Sequence, residues 1–149
     1  MSSSYIVFPE NAYFADAVKK CDSVNANVVL PKSKTEDDFI LNNYLNNASV
    51  TSGIWLAIYD FIGNETNVNY YTNETLLYSN WSNGEPGTIS EYCTTYLKTS
   101  QWHDFPCSNT YQFSILCEIT EDSKNSNTIT SSTLATTSTS EQPKILKAH

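Results

Sequence analysis

The sequence predicts an α+β fold with mostly antiparallel strand pairing. Three observations lead there: amphipathic helical stripes lie early in the chain, extended apolar segments dominate its later part, and no strand–helix–strand rhythm repeats between them. With 149 residues, 40% hydrophobic and 13% aromatic, the chain can bury one proper core.

Tyr5 to Phe8 is a short apolar run ended by Pro9, as suits an edge strand, where a missing N–H costs no partner. Asn11 reads as an N-cap for a helix in which Phe14, Ala17, Val18 and Cys21 fall at i, i+3, i+4 and i+7. That stripe delivers Cys21 to the core. Asn27 to Leu30 is a brief extended segment stopped by Pro31, and Ser33-Lys34-Thr35-Glu36 is a capping-box pattern opening a second helix. Its buried face is Ile40, Leu41, Tyr44 and Leu45, with Asn42, Asn43, Asn46 and Asn47 off the stripe in solvent.

Ile54 to Tyr59 is apolar throughout and rich in aromatic and branched residues, so it reads as a central buried strand. Residues 60–80 are rich in Asn, Thr and Tyr and suggest short strands and turns with little core of their own. Tyr92 to Leu97 and Phe113 to Ile119 are the last two strands the pattern offers, the second placing Phe113, Ile115, Cys117 and Ile119 on one inward face. Beyond Ile119 the aromatics vanish, and residues 120–140 hold thirteen Ser or Thr among twenty-one. The expected organisation is therefore a domain over 5–119 and a disordered Ser/Thr-rich tail over 120–149.

A formal charge of −8 argues against nucleic acid or an anionic membrane as partner and is compatible with cation binding. No run approaches the roughly 18 apolar residues of a membrane helix. Cysteines at 21, 93, 107 and 117 form no Cys-x-x-Cys pair, which speaks against a zinc ribbon or a thioredoxin-type site. Two disulfides and an oxidising, extracellular compartment are the simpler reading, with three connectivities open. Sequons for N-glycosylation occur at Asn47, Asn64, Asn73 and Asn80, a number that sixteen asparagines in a Ser/Thr-rich chain produce by chance. Neither histidine is paired with a recognisable nucleophile, and no enzyme is expected.

The stretch from Asn80 to Cys107 concentrates the chemistry. Glu85 is followed by a proline, Glu91 sits two residues before Cys93, and Asp104 follows Trp102 and His103 inside the same cysteine loop. Carboxylates so arranged on loops suit a hard cation such as calcium, which takes oxygen ligands in flexible geometry.

These motifs resemble a family. Trp55-Leu56-Ala57-Ile58 resembles the Trp-Ile-Gly-Leu strand of C-type lectin domains, Glu85-Pro86-Gly87 their Glu-Pro-Asn motif, and Trp102-His103-Asp104 their Trp-Asn-Asp strand. The resemblance implies a C-type lectin-like fold: two helices, antiparallel sheets, and a long irregular ligand-site loop at about Asp60 to Tyr92. It implies disulfides Cys21 to Cys117 and Cys93 to Cys107. It implies Glu85, Glu91 and Asp104 as calcium ligands, with Glu85, Glu91, His103 and Asp104 meeting carbohydrate. Nearby aromatics, Tyr92 or Trp102, offer a sugar-facing surface or serve only as core, and for Trp102, which flanks a short cysteine loop that needs filler, core is the favoured reading. Gly87 and His103 stand where the family has amide ligands, so calcium binding is expected to be weak, and Gly87→Asn with His103→Asn is expected to strengthen it. The expected function is secreted or extracellular carbohydrate binding, to glycans or a glycoprotein. The alternative is a calcium-independent lectin-like domain that binds a protein ligand.

Overall fold

A computed structural model describes residues 3–87, 89–99, 101–107 and 110–121. The expected tail falls almost wholly outside the described residues. Strand β1 (Ser4–Ala12) precedes helix α1 (Phe14–Asp22), the short β2 (Asn27–Val28) and helix α2 (Lys34–Ile40), which continues into a wider π-helical turn at Leu41–Leu45. Then follow β3 (Gly53–Tyr59), β4 (Val68–Asn69), β5 (Cys93–Leu97), β6 (Trp102–Phe105) and β7 (Phe113–Ile119). The sheet runs β1-β7-β3-β5-β6, with β2 on β7 and β4 on β3. Pairing is antiparallel except for the parallel contact of β3 with β7 at Ile54 and Ser114. This is the expected α+β architecture.

Several local expectations are corrected. The first strand passes through Pro9 to Ala12 with a register shift after Phe8, which an edge strand tolerates because its outer side has no ladder to break. Asn11 therefore lies in β1 and does not cap α1; Tyr13 occupies the cap position without a side-chain bond. The cap of α2 holds, with Ser33 Oγ accepting from the Glu36 N–H at 3.2 Å, but Glu36 reaches back to the Lys32 N–H rather than to Ser33. In β7 every residue from Phe113 to Glu118 is buried, so the expected alternation vanishes: the strand lies inside the sheet between β1 and β3 and both its faces are covered.

The core joins Phe14, Ala17 and Cys21 of α1 to Ile40 of α2 and Leu45 of the turn after it, and to Ile54, Trp55, Leu56 and Ile58 of β3. Trp55 packs edge-on against both Phe14 and Phe113, and its indole N–H donates to the Ala12 carbonyl at 2.8 Å. The disulfides are Cys21–Cys117, tying α1 to β7, and Cys93–Cys107, tying the start of β5 to the chain just after β6. Among the described residues no helix is long and apolar enough to cross a membrane.

Candidate functional site

The segment between β3 and β5 contains little regular structure, so its position depends on individual side chains. Asp60, buried, accepts from the N–H groups of Ile62, Gly63 and Glu65 and winds the start of the segment around one carboxylate. Tyr71 fixes the middle: its hydroxyl accepts from the Val28 N–H at 2.8 Å. The end is held by Asp37 of α2, which accepts from Asn80 Nδ2 at 2.8 Å, Tyr96 hydroxyl at 2.9 Å and Trp102 Nε1 at 2.9 Å. Backbone bonds complete the joint, from Trp102 N–H to the Asn80 carbonyl and from Ser82 N–H to the Trp102 carbonyl. Burial raises the Asp37 carboxyl above its usual range despite the three donors, and burial together with Asp37 raises the Tyr96 hydroxyl.

Sequence reasoning missed Asp37, although a signal for it exists. It stands three, four and seven residues before Ile40, Leu41 and Tyr44, an acidic residue on the apolar stripe of its own helix. Such a residue is buried only if donors meet it. Trp102 is one of them, and being fully buried it is no sugar-facing surface; Tyr92, 39% exposed, remains available as one.

Strand β6 sets Asp104 opposite Thr94 of β5, and the turn at residues 82–85 brings Glu85 back to it. The Glu85–Pro86 peptide is cis. Glu85 Oε2 is buried without a hydrogen-bond partner. Its proton-sharing contact with the Asp104 carboxylate, reinforced by burial and by the charges of Asp104 and Glu91, pushes the Glu85 carboxyl up to about 7. His103 Nδ1 lies 3.6 Å from Glu85 Oε1, an ion pair when the imidazole is protonated. Glu85, His103 and Asp104 thus come together, while Glu91 acts on Glu85 through its charge.

Gly87 changes the site in a way its missing side chain does not predict. Its N–H donates to Asp104 Oδ2 at 3.1 Å, putting a donor on an oxygen a cation would use. A Cβ at this position would stand 2.8 Å from the Gly84 carbonyl oxygen, so the expected gain from Gly87→Asn requires the turn to open first. Among the described residues no group of three or more His, Cys, Asp or Glu side chains is arranged to hold a metal ion. The donor set fits calcium only through the carboxylate pair, which lacks positive charge and leaves a buried acceptor unserved.

Residues 10–119 match the family model of the lectin C-type domain. Pulmonary surfactant-associated protein D of Sus scrofa is 31% identical over 101 residues, covering 63% of this chain and 25% of that protein. Collectin-10 of Gallus gallus is 28% identical over 125 residues, covering 80% of this chain and 43% of that protein. The chain spans less than half the length of either relative. Among solved structures, the mouse scavenger receptor C-type lectin carbohydrate-recognition domain superposes with a TM-score of 0.68 at 21% identity, covering 80% of this chain and 89% of that one.

Proposed function

From the premise that this chain belongs to the lectin C-type domain family, we propose that it is an extracellular carbohydrate-binding domain whose ligand face is formed by Glu85, Glu91, His103 and Asp104. The supporting observation is the contact of Glu85 with Asp104, two acceptors facing one another with Glu85 Oε2 buried and unserved. A cation or a proton relieves that arrangement, and bound calcium would supply the positive charge and open coordination positions for sugar hydroxyls. Glu85 and Asp104 would hold it, with Glu91 adding charge. Binding is weak, at or above the roughly 10⁻⁴ to 10⁻³ M of extracellular modules, since Gly87 and His103 supply no oxygen side chains. The family is a binding kind of domain, and we assign no catalytic residue.

A second reading, calcium-independent binding of a protein ligand, is favoured by the Gly87 N–H that occupies Asp104 Oδ2. Glycan-array binding with calcium and with chelator separates the two. Sugar binding abolished by chelator supports the first; no glycan bound in either condition, with a melting temperature unmoved by several millimolar calcium, sinks it.

A further inference from the structure

The four sequons, indistinguishable as motifs, are sorted by the fold. Asn47, Asn64 and Asn73 are exposed, and so are their hydroxyl partners Ser49, Thr66 and Thr75. In two of them the side-chain oxygen is already engaged and the nitrogen turned away from that bond: Asn47 Oδ1 accepts from Ser49 N–H and hydroxyl, and Asn64 Oδ1 from Thr66 N–H. Asn73 sits at a positive φ of 60° in a turn closed by its N–H to the Asn69 carbonyl. Asn80 differs. It is half-buried, and its Nδ2 donates at 2.8 Å to the carboxylate of Asp37, itself 1% exposed.

A second observation concerns what lies beside two of these asparagines. Phe61 and Ile62 are 53% and 74% exposed just before Asn64, Tyr71 is exposed two residues before Asn73, and Leu77 is 85% exposed four residues after it. Phe61 stacks on Tyr70 with centroids 6.0 Å apart, and Tyr70 meets Tyr71 edge-on at 5.0 Å, so the two sequon turns are joined by one run of rings, exposed at Phe61 and Tyr71 and half-buried at Tyr70. Its rings are held in place by the Asp60 loop and the Tyr71–Val28 bond. A rigid apolar surface of this kind invites association unless something covers it, and the apolar faces of pyranose rings stack well on aromatic ones.

We propose that Asn47, Asn64 and Asn73 carry N-linked glycans, that Asn80 does not, and that the sugars on Asn64 and Asn73 lie over the aromatic surface between them. Transfer forms a bond from the asparagine Nδ2 to the anomeric carbon of a lipid-diphosphate-linked oligosaccharide. That carbon's bond to phosphate oxygen breaks, the lipid diphosphate leaves with the electron pair, and the amide gives up one proton. At Asn80 the nitrogen that would carry the sugar faces the core. A modified amide keeps one N–H for Asp37, but the sugar on the same nitrogen would have to fit beside the buried carboxylate and the Trp102 backbone, so chains modified there are selected against in folded protein. The inference rests on the extracellular part of the proposed function, which the two disulfides support, and uses none of the carbohydrate site.

The test is site occupancy on the full chain secreted from a eukaryotic host, with glycans removed enzymatically in ¹⁸O water so that each occupied asparagine becomes a labelled aspartate. Label at Asn47, Asn64 and Asn73 and none at Asn80 is expected. Label at Asn80 in folded, disulfide-intact protein, or its absence from both Asn64 and Asn73, overturns the proposal; the second result in protein still secreted with both disulfides leaves the extracellular reading intact. An apolar fluorescent dye reads the covering: N64Q with N73Q should raise its signal several-fold over the parent, and N47Q should not. Equal signals from the double variant and the parent would show that the surface is not covered by these sugars.

Discussion

Asp37 meets three donors, and Glu85 meets another carboxylate. Asp37 is buried and Glu85 is 27% exposed at its side chain, yet both carboxyls are raised, for different reasons. At Asp37 burial acts against the opposing pull of Tyr96, Trp102 and Asn80, whereas at Glu85 the contact with Asp104 comes first. Asp37 is a closed joint between α2, the end of the long segment and β6. Glu85 and Asp104 form an open one: the strands and the turn around them set carboxyl against carboxyl, and a shared proton and the Asp104 N–H offset the repulsion. The same functional group thus serves as a structural pin where donors surround it and as a candidate ligand where a second carboxylate stands in their place.

Breaking the closed joint should have the largest effect. Asp37→Ala leaves the donors of Trp102, Tyr96 and Asn80 without their acceptor, and at about 1–3 kcal/mol per stranded buried group the loss should be on the order of 5 kcal/mol. Urea unfolding measures it; a loss below about 1 kcal/mol would mean that water serves these donors as well as Asp37 does.

Cutting the bridge beside the open joint comes next. Cys93→Ala with Cys107→Ala frees a loop with a sequence separation of 14, with a cost of roughly 3 kcal/mol in a chain-entropy model. If imposed geometry keeps Glu85 against Asp104, their separation in this variant should return the Glu85 carboxyl toward its ordinary range. NMR titration of the side chain reads that directly, and an unchanged midpoint would assign the contact to the turn alone.

A pH effect distinguishes the two carboxylate environments further. The folded Glu85 carboxyl, at about 7, lies above its ordinary 4.5. Its contribution is therefore stabilising below about 4.5 and is lost as pH rises through about 7. In chelator, the melting temperature of the parent should fall by a few degrees more between pH 5 and 8 than that of Glu85→Gln, which has no proton to lose there. Calcium should reduce the difference by replacing the proton. Parallel pH curves for parent and variant would remove Glu85 from the site.

The smallest change is expected from His103→Asn. The imidazole lies 3.6 Å from Glu85 Oε1 and, when protonated, competes with a cation for that oxygen. Asparagine removes the competition and offers an oxygen, so calcium binding by calorimetry should strengthen by a few-fold. Gly87→Asn is expected to add little, because its Cβ meets the Gly84 carbonyl.

Periodicity and composition by themselves determined the helices and the longer strands in order (though not the four-residue β6), the central place of Ile54 to Tyr59, and the serine cap of α2, because these follow from interactions a few residues apart. Motif order and the cysteines pointed to the family and, through it, to the disulfides the structure contains. The two-sided burial of β7 was illegible because it depends on neighbours distant in sequence. Only the tertiary structure decided that Asp37, 65 residues before Trp102, is the acceptor for its indole, that Gly87 turns a donor onto Asp104, and that one of four identical sequons points its nitrogen into the core. Each depends on which groups meet after the chain has folded, and hydrogen-bond partners at such separations leave no periodic trace in the sequence.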